Sequence, residues 1–249
     1  MDRQSFYKMM EGKTGLDYEL YLKSDDLLAC QKPFDELCNK DELQFQIVHQ
    51  VEELWMKLMA YTLLDIDEYM AEKNANRIIT LFGRVDLLQS MMNLQLALLE
   101  TMSPKEYQQI RLALGNGSGQ ESPGFRVLIR MGPLLWESFK THYLDADGKT
   151  VESIYDSEYS HCDAYKVAEC LAQFDSMFQR FGYRHMQLIA RTIGFGAKSL
   201  KGRSVDLLQA GIRRQFYPEL WAIRDTMTDS WGGEYGQVRG ALGKESTVP

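Results

Sequence analysis

At 249 residues, with 45% hydrophobic and 11% aromatic side chains, the chain can bury a sizeable core without disulfide or metal staples. Its formal charge of −7 and pI near 5.2 exclude nucleic acid as the main partner, because phosphate binding needs a basic surface. Small ligands stay open.

The run from Met1 to Gly15 lacks the apolar core of a signal peptide, and no later stretch reaches the roughly 20 uninterrupted apolar residues of a membrane span. A soluble, cytoplasmic protein with no membrane partner is expected. No proline falls between Pro33 and Pro104 or between Pro133 and Pro218, and these stretches are rich in Leu, Met, Glu, Gln and Lys. The pattern predicts helices over 41–72, 75–101, 104–114, 123–143, 162–193 and 204–229, hence an all-α fold, a helical bundle forming one domain over 1–249. The expected breaks are Gly115 to Gly119, Asp145 to Ser160 and Gly194 to Gly202, and the tail 232–249 is expected to be loose.

Within 41–72, Ile47, Val51, Leu54 and Leu58 share one stripe at 100° per residue, while Phe45, His49 and Met56 fall on roughly the opposite side. Such a helix is expected to lie between two layers. His49 has two readings here: a core histidine bonded to a carbonyl, or a group that meets a ligand.

Farther on, Ser122 followed by Pro123 is a helix start, the hydroxyl capping free amides and the proline taking the first helical position. Arg126 then sits in the first turn, where its charge opposes the positive end of the helix dipole. Beside unpaired amides, that placement suits an anion bound across it; the alternative is a solvated surface arginine. No strand precedes the glycines and no Walker lysine follows, which excludes a nucleotide loop.

The helix over 162–193 carries Phe174, Phe178, Phe181, His185, Leu188, Ile189 and Thr192 in one narrow stripe with the imidazole at its centre, and Arg180, Arg184 and Arg191 lie off it. A flat apolar macrocycle needs aromatic and aliphatic walls, an axial nitrogen and nearby cations, and this helix offers all three. Gly182 costs about 1 kcal/mol relative to Ala in a helix interior, consistent with close approach by a bulky partner or with a kink. Cys30, Cys38, Cys162 and Cys170 form neither CxxC nor CxxCH, so they read as reduced thiols and any haem as non-covalent.

Three strings carry a family resemblance. Tyr18 to Pro33 followed by Asp41 to Lys57, which includes Phe45, His49, Gln50, Glu53, Leu54 and Trp55, is similar to the N-terminal signature of tryptophan 2,3-dioxygenases. Ser118 to Arg126 resembles their carboxylate-binding segment. Arg180 to Gly194 and Phe216 to Trp221 resemble their haem helix and C-terminal helix.

The resemblance implies an all-α enzyme that binds haem b and an aromatic amino acid, with O2 or peroxide as oxidant. His185 would be the axial ligand of the haem iron, and His49 the distal catalytic residue near the substrate ring nitrogen. Phe45 would pack on the substrate and Arg126 hold its carboxylate. Tyr18, Tyr21 and Leu22 match residues that close the pocket of a neighbouring subunit, so an intertwined homotetramer with residues 1–22 as an exchanged arm is implied. Two departures stand out: the family's Gly-Thr-Gly-Gly-Ser-Ser loop is replaced by Lys198 to Ser204, with Ser199 at the threonine position, and its usual phenylalanine is Gln120. The expected reaction is opening of the indole 2,3-bond of L-tryptophan or a substituted tryptophan. The departures keep a second expectation in play, insertion of a single oxygen into an aromatic amino acid. A third, a haem sensor without turnover, gives Arg126 nothing to hold.

Overall fold

The computed structural model describes residues 2–10, 14–115, 117, 119–157, 159–194, 196 and 214–231. Every regular element among them is helical. Three short N-terminal helices, α1 (Arg3–Met9), α2 (Asp17–Leu22) and α3 (Ser24–Leu28), bury none of their residues. The chain then runs along α4 (Glu42–Ala71), to which it is strapped by Lys32 N–H donating to Gln46 Oε1 at 3.0 Å and Gln31 Nε2 donating to Gln50 Oε1 at 2.7 Å.

After α4 the backbone reverses through Lys73, at φ 53°, and Asn74 caps α5 (Ala75–Leu99) by accepting from Arg77 N–H. So short a turn leaves α4 and α5 antiparallel neighbours. α6 (Pro104–Ala113) starts at a Ser103 cap, and α7 (Pro123–Phe139) at Ser122, as the Ser122-Pro123 pair predicts. Beyond Phe139 the helix widens into a π turn, Lys140–Leu144, and tightens into a 3-10 turn, Asp145–Asp147. The expected break after it holds a further helix, α8 (Val151–Tyr155), begun by the Thr150 capping box. α9 (Asp163–Thr192) runs without a break through Gly182 and ends at Gly194, whose φ of 81° lets its amide reach back to the Ile189 and Ala190 carbonyls. α10 (Pro218–Trp231) begins at its proline, so the expected helix does not extend over 214–217; its remainder, 204–213, lies outside the described residues.

α5 packs between α4 and α9, and α7 lies on α4. Two apolar clusters result. The larger centres on Met59, Leu63, Ile66, Phe82, Val85, Leu171 and Phe174; the smaller joins Val48, Leu96, Leu99, Ile110 and Leu188 at one end of the bundle. Phe181 packs against both. Buried Asp175 fastens α10: it accepts from Phe216 N–H at 3.0 Å, Tyr217 N–H at 3.4 Å and Trp221 Nε1 at 2.8 Å.

One expectation about α4 is corrected. Its buried stripe is Val48, Glu52, Met56, Met59, Leu63, Ile66 and Met70, whereas Ile47, Leu54 and Leu58 stand 42%, 49% and 43% exposed. Among the described residues the helix therefore has one covered face, not two: α5 and α7, which pack on it, leave the Ile47, Leu54 and Leu58 side exposed.

Candidate functional site

The candidate site lies where the first third of α4 and the last third of α9 meet at the smaller cluster, with the start of α7 reaching α9 through Phe125, whose ring lies 5.1 Å from Phe178 and 6.4 Å from Phe181. On α4, Phe45 lies one turn before His49, with ring centroids 4.1 Å apart, and Tyr107 of α6 approaches Phe45 at 6.4 Å. The His49 Nδ1 lies 2.7 Å from the Phe45 carbonyl oxygen. A carbonyl can only accept, so Nδ1 carries the proton and Nε2 is left with its lone pair. Burial lowers the imidazole's proton affinity, against the opposing pull of that carbonyl and of Glu53, which favours this neutral form.

His185 lies on α9 one turn beyond Phe181, whose ring is 6.3 Å away and nearly parallel. It makes no hydrogen bond among the described residues. Burial, with His49 as a lesser cause, pushes it down to about 4, so the ring is neutral near pH 7 with a free nitrogen lone pair. The predicted stripe is present: Phe174, Leu188 and Thr192 are buried, Phe178 and Phe181 half-buried, and Arg180 and Arg191 point outward. Arg184 turns inward to donate to the Asn93 carbonyl at 2.5 Å.

The start of α7 departs from expectation. The Gly124 amide donates to Glu53 Oε2 at 3.0 Å and the Phe125 amide to Ser122 Oγ at 3.0 Å, so these two amides are satisfied by protein. They are not an open anion cradle. The fit is tight: a Cβ on Gly124 would lie 2.7 Å from Met56 Cβ and 2.8 Å from Glu53 Oε2. Arg126, two residues on, is exposed and makes no ion pair or hydrogen bond among the described residues.

A sequence model of the tryptophan 2,3-dioxygenase family matches residues 2–134, more than half of the chain. The chain belongs to that family. Among relatives named tryptophan 2,3-dioxygenase, that of Myxococcus xanthus is 28% identical over 260 residues, spanning 85% of this chain and 89% of its own. The Serratia proteamaculans protein is 27% identical over 84% of this chain and 92% of its own, and the Rhodococcus jostii protein 27% over 84% and 91%.

As a tryptophan 2,3-dioxygenase family member, the chain has Phe45, His49 and Arg126 inside the matched stretch and His185 beyond it. The fold brings Phe45, His49 and His185 to one end of the bundle. Tyr18, Tyr21 and Leu22 are not gathered there; on α2 they stand 74%, 88% and 45% exposed. Ser199 lies outside the described residues, as do the Gln120 side chain and the tail after Trp231. No group of three or more His, Cys, Asp or Glu among the described residues could hold a bare metal ion. No described helix is long and apolar enough to cross a membrane.

Two contributors escaped the sequence reading. Glu53 appeared only as part of a motif, although it joins α4 to the turn bearing Arg126. Tyr107 gave no signal, because its neighbour Phe45 is distant in sequence.

Proposed function

We propose that the protein is a haem-dependent dioxygenase that opens the indole 2,3-bond of L-tryptophan, or of a ring-substituted tryptophan, to an N-formylkynurenine. The observation that carries this reading is the pair of histidines: His185, neutral and unbonded in an aromatic stripe, and His49, with a tautomer that leaves Nε2 as an acceptor. The donor set fits haem b, since a neutral imidazole with a free lone pair among phenylalanines is what an axial ligand requires. His185 would hold the iron, with Phe181 and Leu188 against the macrocycle. Bound there, haem b supplies the dioxygen chemistry that side chains lack.

The chain's own groups then bind and orient. His49 Nε2 accepts the indole N–H and fixes the ring; Phe45, stacked beside it, forms a wall. The unpaired Arg126 guanidinium takes the substrate carboxylate as a charge-assisted pair, and the Glu53 bond to Gly124 holds its helix against α4. Such positioning accounts for much of the rate.

Because Arg126 is open to solvent, the pocket needs a cover. We assign it to Tyr18, Tyr21 and Leu22 of a neighbouring copy, residues 1–22 serving as an exchanged arm in a homotetramer. The exposed Ile47, Leu54, Leu58 and Tyr61 on α4 support this, for they form an apolar stripe that the described residues of one protomer leave exposed. Four thiols without disulfides suit a reducing, cytoplasmic setting. Single-oxygen insertion rests on Lys198 to Ser204 and the Gln120 side chain, outside the described residues.

Product mass tests the proposal. Incubation of the ferrous protein with L-tryptophan under O2 should add two oxygen atoms; a gain of one would replace the reading with a mono-oxygenase, and no gain would remove catalysis.

A further inference from the structure

The Glu53 bond to the Gly124 amide ties the first turn of α7 to α4, but one hydrogen bond at the start of a helix does not fix how that helix is turned about its axis. Aromatic rings do. Phe125 reaches α9 with its ring stacked on Phe178 at 5.1 Å and 21°, and it lies 6.4 Å from Phe181. Gly132, seven residues on, returns to the same face of α7, since two turns bring a helix back to nearly the same side. There the Phe216 ring rests on bare backbone: a Cβ on Gly132 would stand 2.5 Å from Phe216 Cδ1.

Phe216 is itself held. It is 5% exposed, its ring meets Phe178 at 4.8 Å, and its amide donates to the buried Asp175 carboxylate at 3.0 Å. Phe178 thus takes Phe125 from the first turn of α7 and Phe216 from the chain entering α10. Turning α7 about its axis would break the Phe125 stack and drive Met131 or Pro133, the neighbours of Gly132, toward the Phe216 ring, which a close-packed interior resists. Arg126 follows Phe125, about 100° farther around the helix. It is exposed and makes no ion pair or hydrogen bond among the described residues, so the setting of α7 decides where its guanidinium can reach.

We propose that Phe125 and Phe178 are positioning residues for the Arg126 clamp: their stack, closed by Phe216 over Gly132, fixes the rotation of α7 and aims the guanidinium at the carboxylate of a substrate whose ring lies by His49. This deepens the function proposed above and rests on its assignment of Arg126 to the substrate carboxylate. A misaimed cation loses the carboxylate and leaves the ring contacts of Phe45 and His49 as they were.

Titration of the haem-loaded protein, followed by its Soret absorbance, with L-tryptophan and with tryptamine, which lacks the carboxylate, tests the proposal. Phe125→Leu stays apolar but removes the ring, and it should weaken L-tryptophan about fivefold while tryptamine binds as before. Phe125→Tyr, which keeps the ring, should bind both ligands as the unaltered protein does. In an Arg126→Ala background, Phe125→Leu should have no further effect on L-tryptophan, because the group it aims is gone. Should Phe125→Leu fail to fold, Phe178→Leu replaces it with the same expectations. A merely structural role would weaken both ligands alike or lower the haem content; either result overturns the proposal, and so does a further loss in the double variant. L-tryptophan binding unchanged in Phe125→Leu, with Arg126→Ala still selective for the carboxylate, sinks the positioning proposal alone. Equal losses of both ligands in Arg126→Ala remove the clamp reading, and the positioning proposal falls with it.

Discussion

Glu53 accepts a hydrogen bond from the Gly124 amide at 3.0 Å, joining the helix of His49 to the first turn of the helix that carries Arg126. A carboxylate at a helix N-terminus also meets the positive end of the dipole, so the contact stabilises α7 while it ties the helix of Arg126 to that of His49. Glu53→Ala should lower stability by about 1–2 kcal/mol. Gly124→Ala should cost about 1–3 kcal/mol, since its methyl meets Met56 and Glu53 below 3 Å. Urea unfolding of both variants checks this; an unaffected Gly124→Ala would mean that the helices separate without cost.

Arg126 should act on the substrate carboxylate alone. Losing a charge-assisted contact is worth on the order of 1.5–3 kcal/mol, so Arg126→Ala should weaken tryptophan binding at least about tenfold. Tryptamine, which lacks the carboxylate, should bind both proteins alike. Equal losses for the two ligands would place the clamp elsewhere.

His185→Ala should remove most of the haem absorbance from the purified protein while the helical circular dichroism persists. His49→Ala should retain haem and lose indole orientation, seen as a fall in turnover. Haem ligation unchanged in His185→Ala would end the axial-ligand assignment.

Acidity acts on two buried groups in opposite directions. His185 sits at about 4 when folded against 6.5 when free, so the unfolded chain binds the proton more readily between these values and stability falls as pH drops through that window. Glu52, 7% exposed with Oε1 unpartnered, is raised to about 8 by burial and by Glu53. Its folded form keeps a proton that the unfolded chain releases near 4.5, so this contribution is present below that value and is lost as pH rises through 8. Glu52→Gln should therefore stabilise the protein at about pH 9 and change little at about pH 5. Chemical denaturation at both values checks the sign, and an equal effect at each would refute it.

The uncovered surfaces should show in assembly. Leu54→Glu or Leu58→Glu should lower the mass seen by light scattering without loss of helix, and deletion of residues 1–22 should abolish turnover while leaving haem bound. A fully active monomer would disprove the shared pocket.

Most of the helices were legible because their causes are local. The period of the apolar residues, the Ser122-Pro123 start and the break at Gly194 each act within a few residues, and the α9 stripe centred on His185 follows from the same periodicity. Tertiary structure decided the rest. Periodicity places apolar residues on both sides of α4, and only the packing of α5 and α7 buries Met56 on the one and leaves Leu54 and Leu58 on the other exposed; that Val48, Met59 and Leu63 extend the buried face was not read from the periodicity. A serine-proline pair announces the start of α7, yet nothing near it in sequence says that Glu53, 71 residues earlier, occupies the Gly124 amide. Asp175 reads as an isolated acid within an apolar run until Phe216, Tyr217 and Trp221 close on it. The His49 tautomer set by the Phe45 carbonyl and the neutral His185 likewise depend on a side-chain rotamer and on burial among distant residues, which no local pattern encodes.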